Sequence, residues 1–381
     1  MKERKIVMAA EEVIGELFST AFRFDDVEAV ANENAESMNA AFVRPAFFDV
    51  SSVMYRFLYA KADEYCRMAG DSDTLLVCYV CCDIISDISD ACSTLGCAPI
   101  LCFDSVHSFR KDIIFPEYKS GRRSSLKTEQ IERVLSLRGN VVTMLRTYFC
   151  PTMKLQYFCL WGYESDDIIA WFVRSLKEPR DVLGTCPFKE SVVIVSSDHD
   201  LHQLIFDDVY LGDVSTGILC SSAMIEKHTG IHPRDVVAAK CVGGCASDAI
   251  PGVPGCGEKT VMQFLSSRNF DVKLKKAREN LNSFDGECIL RRNLKLIRLP
   301  LCVPELDLVV PHMRINKRVW PNKGIPDILA KHLVDIGVRE ERLPYFGDVR
   351  KPKSQSVIPT CEWRKKESNE HSTTAPTRGA D

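Results

Sequence analysis

Scarcity bounds this chain of 381 residues before any motif does. No apolar run approaches the ~18–20 residues that cross a bilayer, so a membrane partner is not expected. The opening Met1-Lys2-Glu3-Arg4-Lys5 leads into acidic, helix-like text instead of an apolar segment, and no secretory leader is expected. Positive charge is not in excess either: 49 Lys and Arg face 52 Asp and Glu, a net −3 that on average argues against a nucleic-acid partner. The 17 cysteines lack zinc-finger spacing. Cys78-Tyr79-Val80-Cys81-Cys82 holds one C-x-x-C, but no second pair or histidine partner follows it, and its neighbours are apolar. These thiols read as reduced, buried hydrophobes of an intracellular protein, which makes the cytoplasm, or a host's cytoplasm if the chain is viral, the expected setting.

What is present is a soluble composition, 45% hydrophobic and 27% charged, with room for one large or two ordinary domains. The charge is unevenly spread. Residues 105–150 carry nine Lys/Arg against four Asp/Glu, whereas residues 1–46 carry nine Asp/Glu against five Lys/Arg. A concentrated basic segment suits a phosphate backbone even in an acidic chain.

The acidic residues gather at the ends of apolar runs: Asp49, Asp104, Glu164-Ser165-Asp166-Asp167, Asp198-His199-Asp200 and Asp248. Ala46 to Val50 reads as a strand running into Asp49, followed by a long helical segment from about Ser52 to Cys92. Pro99 to Phe103 reads as a strand ending on Asp104, Glu164 to Leu176 as a helix, and Ser191 to Ser197 as a β-branched buried strand ending on Asp198 and Asp200. Continuous apolar strands alternating with helices predict an α/β protein with a central, mostly parallel sheet covered by helices on both faces. Functional groups in such sheets lie beyond the carboxyl ends of the strands, where these aspartates fall. For the Glu-Ser-Asp-Asp group alone, a charged helix start explains the residues as well as metal binding does. Asp198 and Asp200 alone could be turn formers. Acidic residues at four separate element ends fit turn chemistry poorly. They suit Mg²⁺ or Mn²⁺, and two such ions about 3.5–4 Å apart are a recurrent device for cutting phosphodiesters.

Taken together, Phe103-Asp104, Phe109-Arg110, Pro116-Glu117-Tyr118-Lys119-Ser120-Gly121-Arg122, Glu164-Ser165-Asp166-Asp167-Ile168-Ile169-Ala170 and Ser196-Ser197-Asp198-His199-Asp200-Leu201-His202-Gln203-Leu204 resemble the 5′-nuclease family. That family includes flap endonucleases, the 5′→3′ exonuclease domain of bacterial DNA polymerase I and bacteriophage RNase H-type exonucleases. Ser247-Asp248-Ala249-Ile250-Pro251-Gly252-Val253-Pro254-Gly255-Cys256-Gly257-Glu258-Lys259-Thr260 is similar to its helix-three-turn-helix DNA-binding signature. The resemblance covers roughly residues 46–300. A chain of this length without an attached polymerase looks most like a phage enzyme.

The resemblance implies two metal ions, one on Asp49, Asp104, Glu164 and Asp166 and the other on Asp167, Asp198, Asp200 and Asp248. It places Arg110, Lys119 and Arg122 at the base of a helical arch, about residues 105–150, as cations for the scissile phosphate, with Tyr118 stacked on a terminal base. Gly252, Gly255, Gly257, Lys259 and Thr260 would grip duplex phosphates, with K⁺ at the same hairpin. One position departs from the family. Gly244-Cys245-Ala246-Ser247-Asp248-Ala249 carries Cys245 where the family usually has an aspartate ligand, and a thiol is a poor ligand for Mg²⁺. The implied organisation is an extension at 1–45, a nuclease domain at 46–215, a helical DNA-binding subdomain at 216–346 and a disordered tail at 347–381, where replication proteins could dock. The implied function is 5′→3′ exonuclease and flap endonuclease action on DNA and RNA–DNA hybrids in replication or repair. The alternative is a catalytically weakened, structure-selective DNA-binding protein. A PIN-type ribonuclease would share the acidic sheet but not the arch and the glycine hairpin together.

Overall fold

The computed structural model describes residues 44–120, 128–177, 191–214, 216–257, 260, 261, 265, 275–301 and 325–344. Arg122, Lys259, most of the extension at 1–45 and the tail from 347 lie outside these residues.

Apolar strands build the centre. β1 (Arg44–Asp49), β2 (Cys97–Phe103), β3 (Gln156–Cys159), β4 (Val192–Val195), β5 (Val209–Asp213) and β6 (Ile218–Cys220) form one sheet in the order β3-β2-β1-β4-β5-β6. All neighbours pair in parallel except β5 with β6. Successive residues enter opposite cores, as the pleat requires. Phe48, Leu101, Phe103, Val193 and Val195 join one buried cluster, while Phe47, Ile100, Cys102, Val192 and Ile194 join the other. Burial on both faces is why these strands read as unbroken apolar runs.

The first face is covered by α1 (Val50–Ala60), α2 (Ala62–Ala69) and α3 (Asp73–Leu95). The single long helix expected over Ser52 to Cys92 is therefore three helices. Gly70 turns the chain at φ +54°, and Ser72 restarts it by accepting the Leu75 N–H at 3.2 Å. α3 is apolar nearly all round and runs through the core, burying Cys78, Cys81 and Cys82. Burial pushes the Cys78 thiol up to about 11, so this C-x-x-C packs as hydrophobic surface. α4 (Glu129–Ser136) and α5 (Arg138–Met144) extend the same layer, in the segment expected to form an arch.

The second face is covered by α6 (Ser165–Lys177), which starts one residue later than the sequence suggested. Beyond the sheet come α7 (Ser222–Thr229), α8 (Val236–Gly243), a two-residue antiparallel ladder of β7 (Gly244–Cys245) with β8 (Ile250–Pro251), α9 (Lys275–Leu281), α10 (Phe284–Ile297) and α11 (Asp327–Ile336). Among the described residues, no helix is long and apolar enough to cross a membrane. The order in which strands are added reverses between the parallel neighbours β1 and β4, with β2 and β3 on one side and β5 and β6 on the other, and an open parallel sheet leaves a crevice at the carboxyl ends of such a pair.

Candidate active site

That crevice is a cleft of about 330 Å³ lined by Asp49, Asp104, Glu164, Asp166, Asp198 and Lys119, together with Ser and Tyr side chains of α1. Asp49 ends β1 and caps α1, accepting the Ser52 N–H at 3.2 Å. Its oxygens also accept the Ser165 hydroxyl at 2.9 Å and the Ser196 hydroxyl at 2.8 Å. Burial, and then the Asp104 charge, raise its pKa to about 6. Asp104 follows β2 and accepts from the Ser51 hydroxyl at 2.5 Å and the Ser165 N–H at 2.7 Å. Asp198 follows β4 and caps a short turn by accepting the Asp200 N–H at 2.8 Å.

Glu164 is held from three sides, by the Ser108 hydroxyl at 3.1 Å, the Tyr118 hydroxyl at 2.9 Å and the Lys119 ammonium at 2.8 Å. Burial would raise its pKa, but Lys119 and Arg110 outweigh burial and hold it below the usual range. Asp166 is the opposite case. Burial, with Asp167 and Glu164 beside it, lifts its pKa well above the usual range despite Arg110. Its Oδ1 has no hydrogen-bond partner among the described residues, and the nearest cation is the Arg110 guanidinium at 3.9 Å. A carboxylate oxygen so placed binds a proton tightly, and a divalent cation meets the same need.

The remaining expected ligands lie off this cleft. Asp167 is fully buried and takes both arms of the Arg110 guanidinium, along with the Leu301 N–H at 2.6 Å. Arg110, 1% exposed, also donates from Nε to the Leu296 carbonyl at 2.8 Å. The cation expected at the scissile phosphate therefore ties α6 to the end of α10. Tyr118 is likewise buried, with its hydroxyl on Glu164, which leaves no open ring face for a terminal base. Burial and the Glu164 charge raise its pKa far above the usual phenol range. Lys119 does reach the cleft. Its backbone sits at φ +58° and donates to the Asp248 carbonyl at 2.8 Å, which aims the side chain inward.

Asp200 is buried and paired with the Lys240 ammonium from α8. Burial raises its pKa, and Lys240 offsets only part of that rise. Asp248 is buried in a turn ending at Ala249, and the Cys245 thiol donates to its Oδ2 at 3.4 Å. Among the described residues, no three His, Cys, Asp or Glu side chains stand in a group ready to enclose an ion, and the carboxylates are engaged by serines, lysines and Arg110.

Sequence reasoning missed several members of the site. Tyr55, Arg56 and Tyr59 of α1 line the cleft, with the two Tyr rings 6.3 Å apart and Tyr59 47% exposed. Their i, i+4 spacing after Asp49 was the available signal. Lys240, forty residues from Asp200, left none.

The glycine hairpin is built by close backbone contact. A Cβ on Gly252 would lie 2.4 Å from the Gly243 backbone, and one on Gly244 would lie 2.4 Å from the Gly252 nitrogen. Gly255 turns at φ +79°, Thr260 reaches its carbonyl at 3.4 Å, and Gly257 is open to its surroundings. Asn293 is fully buried and donates to the Cys241 and Pro251 carbonyls at 2.8 and 3.0 Å. Asn280 donates to the Pro254 carbonyl at 2.8 Å. These two asparagines fix the hairpin to α9 and α10.

Comparison with known proteins gives a consistent result. Residues 45–232 match the family model of the 5'-3' exonuclease, N-terminal resolvase-like domain. The DNA polymerase I of Rhizobium leguminosarum is 29% identical over 212 residues, 54% of this chain and 19% of that protein. The 5'-3' exonuclease of Buchnera aphidicola subsp. Schizaphis graminum is 30% identical over 174 residues, 46% of this chain and 54% of that protein. The chain thus spans about a fifth of the first relative and about half of the second. A complex of the bacteriophage T5 flap endonuclease with DNA and metal ions superposes with a TM-score of 0.50 at 20% identity, over 77% of this chain and 97% of that one. The T5 5'-exonuclease with bound zinc gives the same TM-score and identity over 77% and 98%. At this identity the likeness is one of fold.

Proposed function

Residues 45–232 belong to the 5'-3' exonuclease N-terminal family, and from that premise we propose that this chain is a structure-selective 5′→3′ exonuclease and flap endonuclease. Its substrates are phosphodiesters at the 5′ ends of DNA and of RNA–DNA hybrids, in flaps, nicks or branches that arise during replication or repair. The single observation that carries the reading is the convergence, at the β1/β4 crevice, of Asp49, Asp104, Glu164, Asp166 and Asp198 around one cleft that also admits Lys119.

The donor set is all oxygen, and the orphaned Asp166 Oδ1 fits a divalent cation such as Mg²⁺ or Mn²⁺. Asp49, Asp104, Glu164 and Asp166 would hold one ion, and Asp198, Asp200 and Asp248 a second. Such ions lower the pKa of bound water and stabilise charge on the leaving oxygen. The chain's own residues do the rest. Ser51, Ser165 and Ser196 fix the orientation of Asp104 and Asp49 through direct hydrogen bonds. Lys119, 26% exposed at its side chain, is within the cleft to meet a phosphate once Glu164 has another cation to hold. Tyr55 and Tyr59 offer ring faces to the base next to the cut, a contact of ~1–3 kcal/mol per base. The Gly252–Gly257 hairpin is shaped to approach duplex phosphates downstream, with K⁺ at the same turn. Contacts of this kind read junction shape rather than base sequence.

A 5′-labelled flap duplex incubated with the protein under Mg²⁺, Mn²⁺ or EDTA tests this, with Asp198→Ala as control. Metal-dependent release of the 5′ fragment that disappears in the variant is the expected result. Tight flap binding without cleavage under either ion would overturn it and leave a DNA-binding protein.

A further inference from the structure

Two halves of the acidic cluster differ in what already occupies them. On the Asp49, Asp104, Glu164 and Asp166 side, serines are the side-chain donors to Asp49 and Asp104, Lys119 reaches Glu164 from the open cleft, and the buried Asp166 Oδ1 has no hydrogen bond among the described residues. On the Asp198, Asp200 and Asp248 side, each carboxylate is engaged locally. Asp198 takes a backbone N–H, Asp248 takes the Cys245 thiol, and Asp200 takes a full positive charge from Lys240. Asp200 and Asp248 are both buried and absent from the cleft lining. Cys245, half-buried with its sulfur 3.1 Å from the Ser247 hydroxyl, adds a soft ligand where a hard ion wants oxygen.

We infer that Lys240 supplies from within the chain the charge that a second divalent ion would bring, so that the free protein binds one divalent cation tightly and admits a second only by displacing the Lys240 ammonium from Asp200. The first ion goes to Asp49, Asp104, Glu164 and Asp166. Lys240 is anchored on α8, which leads directly into the β7–β8 hairpin. Whatever engages that hairpin can therefore shift the lysine and open the second position. In this role Lys240 is a positioning residue, and the thiol at Cys245 tilts the competition further in its favour. The inference rests on the metal-nuclease reading above.

The test is a Mn²⁺ titration of the full chain without nucleic acid, with free ion followed by electron paramagnetic resonance. One tight ion per chain is expected in the unaltered protein, with any second ion at least tenfold weaker. Lys240→Met should tighten the second ion at least tenfold, with the first unchanged. Cys245→Asp, which keeps Lys240 and adds a carboxylate, should tighten it by a smaller factor and carries the test if the lysine variant fails to fold. Two ions of matched affinity in the unaltered protein would overturn this inference alone, as would a folded Lys240→Met that gains nothing. Uptake of no ion at all would overturn it together with the nuclease reading.

Discussion

Asp167 and Asp200 were expected to act alike, and each turns out to hold a cation, but the two pairs are built differently. Asp167 receives both arms of an Arg guanidinium that is 1% exposed and also accepts a backbone N–H from Leu301. Asp200 receives one ammonium on a flexible stem that is 24% exposed. A planar guanidinium matched to a carboxylate in a dry site is a fixed joint, whereas a lysine at a cleft edge can leave. Arg110 also holds the Leu296 carbonyl, and Gln203 bridges the Ile297 carbonyl at 3.0 Å and the Leu299 N–H at 2.9 Å. The 296–301 segment is thus bound to the back of the site at several points. The difference teaches that a carboxylate in a metal-ligand motif can serve as framework.

The sharpest way to break this comparison is Arg110→Met. It leaves Asp167 buried and uncompensated, which costs on the order of 3–5 kcal/mol. Urea unfolding of the purified variant should show the midpoint falling with little change in slope. A loss below about 1 kcal/mol would mean that the pair is not a joint at all. Lys240→Met should cost less, about 1–2 kcal/mol, because Asp200 sits nearer solvent and can take up a proton. Equal losses from both substitutions in the same unfolding experiment would erase the distinction between fixed and displaceable pairs.

How much of this was legible beforehand follows from the same physics. Strands buried on both faces give unbroken apolar runs, so β1, β2 and β4 and their terminal aspartates could be read directly. β3, Gln156–Cys159, is four residues long with no β-branched side chain and gave no signal, nor did the short β5 and β6. The Ser52–Cys92 segment breaks twice, at Lys61 and at Gly70, each a single residue inside an otherwise helical pattern. Convergence of the carboxylates followed from strand order and motif. Which of them would be engaged by Arg110 or Lys240 did not, because those partners are 57 and 40 residues away and meet only in the folded chain.

The smallest effect on stability should come from Asp104→Asn, and it separates working carboxylates from framework ones. Asn keeps an oxygen for the Ser165 N–H, and its amide N–H can donate to the Ser51 hydroxyl, which then accepts instead of donating, so both positions stay hydrogen-bonded. The substitution removes a negative charge that, after burial, is the main reason the Asp49 pKa rises to about 6. An acid whose folded pKa lies above its unfolded value binds protons more tightly when folded, so its contribution favours folding at low pH and is lost as pH rises from about 4 through about 6. In EDTA, the unaltered chain should therefore lose stability over that window, and Asp104→Asn should lose less. At pH 7 the variant should match or slightly exceed the parent, within about 1 kcal/mol, because a repulsion between like charges has been removed. Flap cleavage in Mg²⁺ should nonetheless fall at least ~100-fold, since the change strips charge from the proposed ligand set. A variant that unfolds as readily as Arg110→Met would make Asp104 another joint, and one that cleaves normally would take it out of the reaction.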